Sequence, residues 1–411
     1  MIKIAYGLLG EHLAHSFSPE IHRFFGGYEY KIFEIDENNL KEFLKGSEWE
    51  GLNVTIPYKK TVIKHLDKVS KNAFDIGSVN TIIKNANGEK IGYNTDFDGF
   101  SYLLSANNID VENKKILVLG SGGASLAVKA VLNSKKASEV ITISRTGENN
   151  YENLERNFDA DIIVNTTPVG MFPNNLKSPI DLVGFKKLSA VIDIIYNPLN
   201  TQLLLDAKKR NIKTANGLSM LVAQAKSASE LFQSKKIKDE KTAYCLNELS
   251  KKLRNIILIG MPGCGKTSVG NALSKKLSRS IIDLDEEIVK NEKISIPEIF
   301  SQIGEDGFRK KEIEAAKEFG KRSGIILSTG GGIVLNEENY NSLHQNGIVI
   351  FINRDVNVLP TKGRPLSENT DLNLMYKTRL PLYKAFADIE IDGNDEISNV
   401  ADKIIKVIKE W

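Results

Sequence analysis

Two stretches of the chain share one pattern: a short apolar run, a glycine-rich turn, then an amphipathic stretch. The first run, Lys115-Ile116-Leu117-Val118-Leu119, enters Gly120-Ser121-Gly122-Gly123-Ala124-Ser125. The second, Ile256-Ile257-Leu258-Ile259, enters Gly260-Met261-Pro262-Gly263-Cys264-Gly265-Lys266-Thr267. Apolar runs this short, bounded by glycine, predict buried strands of a parallel sheet. Helical spacing follows each turn, over 126–133 and 268–277. Further strands are expected at 140–143 and 325–327, and the lysine-rich stretch 226–254 reads as helical. Two strand–turn–helix starts this far apart imply two separate α/β nucleotide-binding units.

The length of 411 residues agrees with that division, at ~150 residues per domain. Hydrophobic residues make up 41% and charged residues 26%, ordinary soluble usage, so disorder is not the default expectation. A formal charge of +3 is too mild to imply a nucleic-acid or membrane-surface partner. Cys245 and Cys264 are too far apart, and too few, for a disulfide framework or a structural zinc site. His12 and His15 have no third ligand at metal spacing, so a turn or core role is expected. No stretch reaches the ~18 consecutive apolar residues of a membrane span, and the N-terminus lacks a signal-peptide pattern. A soluble, cytoplasmic protein is expected.

Gly260 to Thr267 fits G-x-x-x-x-G-K-[ST] directly after a strand. Backbone N–H groups of such a loop point at phosphate oxygens, and the following helix N-terminus adds partial positive charge. The motif therefore predicts ATP binding by Gly263, Cys264, Gly265, Lys266, Thr267 and Ser268. Lys266 would reach the outer phosphates, and the Thr267 hydroxyl would bind Mg²⁺. Downstream, Asp283 and Asp285 are spaced by the period of a strand, which would put both carboxylates on one side. Arg309 falls just inside a helix start, Gly330-Gly331-Gly332 makes a backbone-exposed turn, and Arg364 and Arg379 flank prolines. Singly, these are ordinary charges, turns and caps.

In this order after a phosphate loop, they resemble shikimate kinase across residues 255–411. The resemblance implies that Asp283 helps hold Mg²⁺ and that Asp285 orients the attacking hydroxyl of shikimate. Arg309, Arg379 and the Gly330–Gly332 turn would bind the ring and its carboxylate. Arg364, on a lid, would close over the transferring phosphoryl group. The lid stretch 354–364 is shorter than usual in that family, and Leu359 and Pro360 stand where an adenine-contacting arginine is common.

In the first half, Gly120-Ser121-Gly122-Gly123-Ala124-Ser125 is a variant of G-x-G-x-x-G, with Ser125 at the third glycine. Gly120, Gly122, Gly123 and Ala124 would line a dinucleotide pyrophosphate. The next strand ends in Ser144-Arg145-Thr146, where an NAD site would prefer an acidic residue; Arg145 suits a 2′-phosphate and points to NADP. Only 19 residues separate Arg145 from Asn165, too few for the helix, strand and second helix of a regular half. An abridged Rossmann domain is therefore expected.

Around it stand His15-Ser16-Phe17-Ser18-Pro19, Asn53-Val54-Thr55-Ile56-Pro57-Tyr58-Lys59, Ser78-Val79-Asn80-Thr81, Asn94-Thr95-Asp96 and Asn165-Thr166-Thr167-Pro168. Asn216-Gly217-Leu218-Ser219 leads into Gln224. Together these are similar to shikimate dehydrogenase over residues 1–245. That resemblance implies reversible reduction of 3-dehydroshikimate with NADPH, a carboxylate pocket of Ser16, Ser18 and Thr55, and ring contacts from Asn80, Asp96 and Gln224. Tyr196 would stand at the cleft's edge, and Lys59 with Asp96 would be the catalytic pair.

The expected architecture is α/β throughout. A dehydroshikimate-binding domain would comprise 1–98 and 216–245, a Rossmann-like NADP-binding domain 99–215, a linker 246–254, and a P-loop kinase domain with a parallel sheet 255–411. The function expected is bifunctional: NADPH-linked formation of shikimate, then its ATP-dependent phosphorylation to shikimate 3-phosphate in chorismate biosynthesis. The rival reading keeps the kinase but makes the first half a redox-inactive shikimate-binding module. Retention of Lys59 and Asp96 argues against it, because binding alone does not need the pair. Partners are small molecules, and the sequence leaves room for a homodimer.

Overall fold

The computed structural model describes residues 5–13, 16–360 and 371–410, and the apolar runs form central strands of its sheets. Contacts divide the chain into two units. One comprises Met1–Val169, Ser178–Tyr196 and Asp206–Glu248; the other comprises Gly170–Lys177, Asn197–Leu205 and Leu249–Trp411.

The first unit holds two sheets. One runs in the order Tyr30–Glu34, Ala5–Gly10, Trp49–Val54, Thr81–Lys84, Lys90–Tyr93, Lys68–Val69. Its first three strands are parallel, and the direction then reverses at Thr81–Lys84 and again at Lys90–Tyr93. Leu9, Leu40, Trp49, Leu52, Val62 and Ile82 are buried in its core.

The second sheet is wholly parallel, in the order Lys213–Asn216, Ala190–Asp193, Ile162–Asn165, Lys115–Leu119, Glu139–Ile143. Ile116 to Leu119 are fully buried at its centre, as an apolar run without alternation requires. Between Ile143 and Ile162 the chain makes only the short 3-10 segment Tyr151–Asn157. The abridgement read from the spacing is thus present, and it leaves Glu139–Ile143 as an edge strand.

Both helices after the glycine turns begin earlier than their apolar spacing indicates, at Gly123 and Lys266. Gly122 and Gly265 are the N-caps, so turn residues already form the first helical turn. Residues 226–254 are not one helix. Leu218–Gln233 stops where Ser234 adopts a left-handed conformation (φ 48°), and Glu230 accepts from the Ile237 amide and the Lys236 ammonium beyond the break. A second helix, Glu240–Leu253, spans most of the expected linker 246–254.

The second unit carries a five-stranded parallel sheet in the order Ile281–Asp283, Ile326–Ser328, Asn255–Ile259, Gly347–Asn353, Ile389–Asp392. Ile257, Leu258, Leu327 and Ile350 form its fully buried centre. Two short segments from earlier in the chain complete this unit. The Leu199 amide donates to Asn346 Oδ1 (2.8 Å), and the Asn200 amide donates to the Gln345 carbonyl (2.8 Å). Asn200 Nδ2 donates to the His344 carbonyl (2.9 Å), and Asn175 Nδ2 to Gln345 Oε1 (2.5 Å). Each such bond contributes about 0.5–1.5 kcal/mol. A fragment starting at Leu249 loses all of them, so its kinase unfolding transition is expected several degrees below the corresponding transition of the full chain. Scanning calorimetry checks this, and coincident transitions would refute it.

Candidate active sites

In the first unit, Lys59 lies on the turn after Trp49–Val54, anchored where the Val79 amide donates to its carbonyl (2.8 Å). Asp96 opens the helix Asp96–Ala106, which packs against Leu218–Gln233. Lys59 Nζ donates to Asp96 Oδ2 at 2.5 Å, with the two side chains only 16% and 7% exposed. Asn80 Nδ2 donates to the other carboxylate oxygen (2.9 Å) and to Thr95 Oγ1 (3.0 Å). Thr95 in turn donates to Gln224 Oε1 (3.4 Å). The structure thus brings together Lys59, Asp96, Asn80 and Gln224, which are far apart in sequence.

Ser16 and Ser18 form a second cluster. Ser16 Oγ donates to Ser18 Oγ (3.1 Å) and accepts from the Ser18 amide (3.2 Å). Phe17 between them meets the Tyr196 ring edge-on at 5.8 Å, and burial raises the Tyr196 phenol above its ordinary pKa. Thr55 stands just beyond Trp49–Val54, its amide donating to the Leu9 carbonyl (2.9 Å). A buried polar chain runs from Tyr30 to the Lys59–Asp96 cluster. Tyr30 OH donates to Asn53 Oδ1 (2.8 Å), and Asn53 Nδ2 donates to Thr81 Oγ1 (3.1 Å). Thr81 Oγ1 is 3.2 Å from Thr95 Oγ1, beside Asn80 and Asp96. Tyr30 is absent from the sequence-level candidates, since a tyrosine on a strand carries no signal of its own.

The glycine turn borders the same place. A Cβ on Gly123 would sit 3.3 Å from Lys59 Cβ and 3.5 Å from Ser78 Oγ. Gly120 has φ +103°, and a Cβ there would lie 2.9 Å from Thr166 Oγ1, so the turn needs glycine for both conformation and space. Ser125, buried at the third glycine position, donates to the Gly122 carbonyl (2.6 Å). Ser144 donates to the Thr146 carbonyl, while Arg145 and Thr146 are exposed at the strand end. This arrangement fits a dinucleotide whose 2′-substituent is anionic.

In the second unit, Gly263 (φ +81°) and Gly265 (φ +98°) shape the loop that leads into Lys266–Leu277. Lys266 is buried, with Nζ donating to the carbonyls of Gly260 (2.9 Å) and Met261 (3.0 Å). Thr267 Oγ1 donates to Asp283 Oδ2 (2.7 Å) and lies 3.2 Å from Ser328 Oγ. Hydroxyl and carboxylate oxygens converging beside a phosphate loop suit Mg²⁺.

The strand containing Asp283 ends at that residue, which caps the helix Leu284–Glu292 by accepting from the Asp285 and Glu286 amides. Asp285 therefore projects from a helical first turn, and the strand-period reading of the two carboxylates is corrected. The cap competes with the strand, and Asp283 takes the N-cap role. Burial and the neighbouring Asp283 push the Asp285 carboxyl up to about 6, against the pull of Lys266 and Arg309.

Arg309 follows Gly304, whose backbone (φ 69°, ψ −177°) breaks Ile296–Gly320 into two helical segments. Its guanidinium donates to Glu312 (2.9 Å) and Glu305 (2.8 Å). Arg379 Nη1 donates to the Gly331 carbonyl (3.1 Å), as does Tyr383 OH (2.5 Å). A Cβ on Gly330 would stand 2.8 Å from both Asp285 Oδ1 and Glu312 Oε1, and one on Gly332 would collide with Arg309. Asp285, Arg309, Arg379 and the glycine turn therefore surround one place. Glu312, 1% exposed and pushed by burial to about 7, was missed, although its position three residues after Arg309 on a helix was a usable signal. Arg364 and His15 lie outside the described residues.

The fold and sites define an α/β chain that joins a dinucleotide-type Rossmann unit, with a buried lysine–carboxylate pair, to a P-loop unit. The model of the shikimate kinase family matches residues 262–409, and that of the shikimate dehydrogenase substrate-binding domain matches 8–82. A shikimate dehydrogenase (NADP(+)) of Clostridium perfringens is 38% identical over 253 residues, which is 56% of this chain and 93% of the relative. One from Methanococcus maripaludis is 41% identical over 252 residues, 55% of this chain and 90% of the relative. Among solved structures, a chorismate mutase/shikimate 5-dehydrogenase fusion protein from Clostridium acetobutylicum aligns with TM-score 0.59 and 35% identity, covering 61% of this chain and 99% of its own. Shikimate 5-dehydrogenase of Thermus thermophilus in complex with NADP(H) and shikimate aligns with TM-score 0.54 and 31% identity, covering 60% and 99%. The chain belongs to the shikimate dehydrogenase family and carries a shikimate kinase domain after it.

Proposed function

We propose that this chain performs two consecutive reactions: NADPH-dependent reduction of 3-dehydroshikimate to shikimate, then Mg²⁺- and ATP-dependent phosphorylation to shikimate 3-phosphate. The observation that carries this is the presence, on one chain, of the Lys59–Asp96 pair held by Asn80 and of the phosphate loop facing Asp283 and Asp285. Both steps serve the formation of chorismate, in the cytoplasm.

In the first site, Ser16, Ser18 and Thr55 bind the substrate carboxylate through neutral hydroxyls, and Asn80, Asp96 and Gln224 hold the ring hydroxyls. Tyr196 walls the cleft. Gly120, Gly122, Gly123 and Ala124 receive the pyrophosphate of NADPH, and Ser144, Arg145 and Thr146 its 2′-phosphate. The bound cofactor supplies the hydride. Negative charge then grows on the carbonyl oxygen, and the Lys59–Asp96 pair stabilises it and delivers the proton.

In the second site, Gly263 to Ser268 hold the ATP phosphates, and Thr267 and Asp283 hold Mg²⁺. Arg309 and Arg379 fork onto the shikimate carboxylate, with the Gly330–Gly332 turn against the ring. Asp285 orients the attacking hydroxyl and accepts its proton, while Lys266 and Arg364 offset charge on the transferring phosphoryl group.

Asp285 must be ionised to accept a proton. Because its carboxyl is raised to about 6, kinase kcat/KM for shikimate is expected to fall about tenfold per pH unit below that value. A pH–rate profile flat down to pH 5 would refute the assignment.

The direct experiment supplies purified full chain with 3-dehydroshikimate, NADPH, ATP and Mg²⁺ and follows cofactor absorbance and products by mass. Shikimate 3-phosphate formed with matching NADPH loss is expected. Untouched NADPH, with added shikimate still phosphorylated, would select the binding-module reading.

A further inference from the structure

Resting on the kinase reading of the second unit, we propose that Arg354 is a nucleotide-contacting residue whose guanidinium binds the phosphates held by the loop Gly260–Thr267. Arg354 directly follows Gly347–Asn353, the strand hydrogen-bonded beside Asn255–Ile259, so it emerges at the same sheet edge as the loop. Gly260 permits that approach: a Cβ there would lie 2.6 Å from the Ile352 carbonyl. Two residues on, Arg354 Nη1 stands 3.8 Å from where a Cβ on Gly265 would be. Further along the same segment, the Pro360 carbonyl lies 2.9 Å from a Cβ position on Gly263. Residues 354–360 thus flank the loop at Gly263 and Gly265.

Among the described residues the guanidinium has no hydrogen-bond or ion-pair partner. Arg354 is half-buried, its Nε is buried without a hydrogen bond, and no ion pair engages it among the described residues. Asp355, Glu390 and Asp392 line the same pocket as Arg354, and none of them forms an ion pair with it within 4.0 Å among the described residues. Asp355 Oδ1 accepts from the Asn357 amide and side chain, and Asp392 Oδ1 does the same for Asn394. A cation withdrawn from water without a counter-ion destabilises the protein, and here it adds to a region already positive from loop N–H groups, a helix N-terminus and Lys266. An anion is the compensating group, and a planar fork matches phosphate oxygens. The contact engages a diphosphate as well as a triphosphate.

The test compares full-length wild type with Arg354→Gln and Arg354→Lys, using ADP as the probe by titration calorimetry and by its effect on Tm. Arg354→Gln is expected to weaken ADP binding and raise KM for ATP by about 10- to 100-fold, the range of one charge-assisted hydrogen bond. KM for shikimate and the rate of NADPH oxidation should stay within twofold. The ligand-free Tm should not fall, while the ADP-induced rise in Tm should largely vanish, and Arg354→Lys should restore part of it. A structural arginine would do the opposite: lower ligand-free Tm with unchanged ADP affinity. That result, or wild-type ADP affinity in a folded Arg354→Gln protein, overturns the proposal. If wild type itself neither binds ADP nor phosphorylates shikimate, the kinase reading fails with it, and the two failures are distinct.

Discussion

Lys59→Ala is expected to lower kcat/KM for 3-dehydroshikimate reduction by about 10³-fold or more, while kinase turnover stays within twofold. The magnitude follows from what the side chain supplies. Proton transfer by a positioned group contributes ~10²–10⁴, and a donor aimed at a developing oxyanion contributes a similar factor. In the proposed mechanism the Lys59–Asp96 pair serves both needs, with Lys59 fixed by a 2.5 Å bond to Asp96. Loss of Lys59 also strands a carboxylate side chain that is 7% exposed, with Asn80 as its remaining side-chain donor among the described residues. Removing one partner of a buried pair typically costs about 3–5 kcal/mol, so a lower Tm for the first unit should accompany the lost rate. NADPH absorbance and shikimate phosphorylation, measured on the same preparation, check both halves of the expectation. Residual reduction above one-tenth of wild type would remove Lys59 from the chemistry.

Lys266→Ala is expected to do the reverse, cutting kinase turnover by about 10³-fold and leaving NADPH oxidation intact. Phosphoryl transfer depends on positioning and on opposing charge, and little else is available in the loop to replace a buried ammonium. Lys266 is held by the Gly260 and Met261 carbonyls, both within 3.0 Å, so its position is set by the backbone. Coupled ATP turnover with shikimate is the readout. Loss of both activities from either substitution, with the fold preserved, would mean that the two reactions depend on one another.

The strands and glycine turns could be read from the chain because their causes are local: apolar runs, turn residues and cap positions act over a few residues. Even the missing Rossmann strand could be counted, from the 19 residues between Arg145 and Asn165. The serine at the third glycine position of the first turn became intelligible only in three dimensions, where its hydroxyl closes onto the Gly122 carbonyl. Asp285 lies beside Gly330, but on a helix and not on the strand its spacing suggested, because Asp283 ends the strand and caps that helix. The break at Ser234 was hidden because helical composition runs on through it. Least visible was the chain from Tyr30 through Asn53 and Thr81 to Thr95. Its members come from separate elements, and none carries a signal of its own in the sequence.

The discontinuous second unit sets a timetable for synthesis. The Leu199 and Asn200 amides find their acceptors at Asn346 and Gln345, almost 150 positions further along the chain. At ~5–20 residues per second, the ribosome needs about 7–30 s to make that interval. Until then, residues 170–177 and 197–205 are finished polypeptide without finished surroundings, and the first unit has to fold around loops that will settle only with the kinase. The nascent chain is therefore open to chaperones and proteases at these two loops for a period set by translation speed, and they are the places where slowed elongation would be felt first.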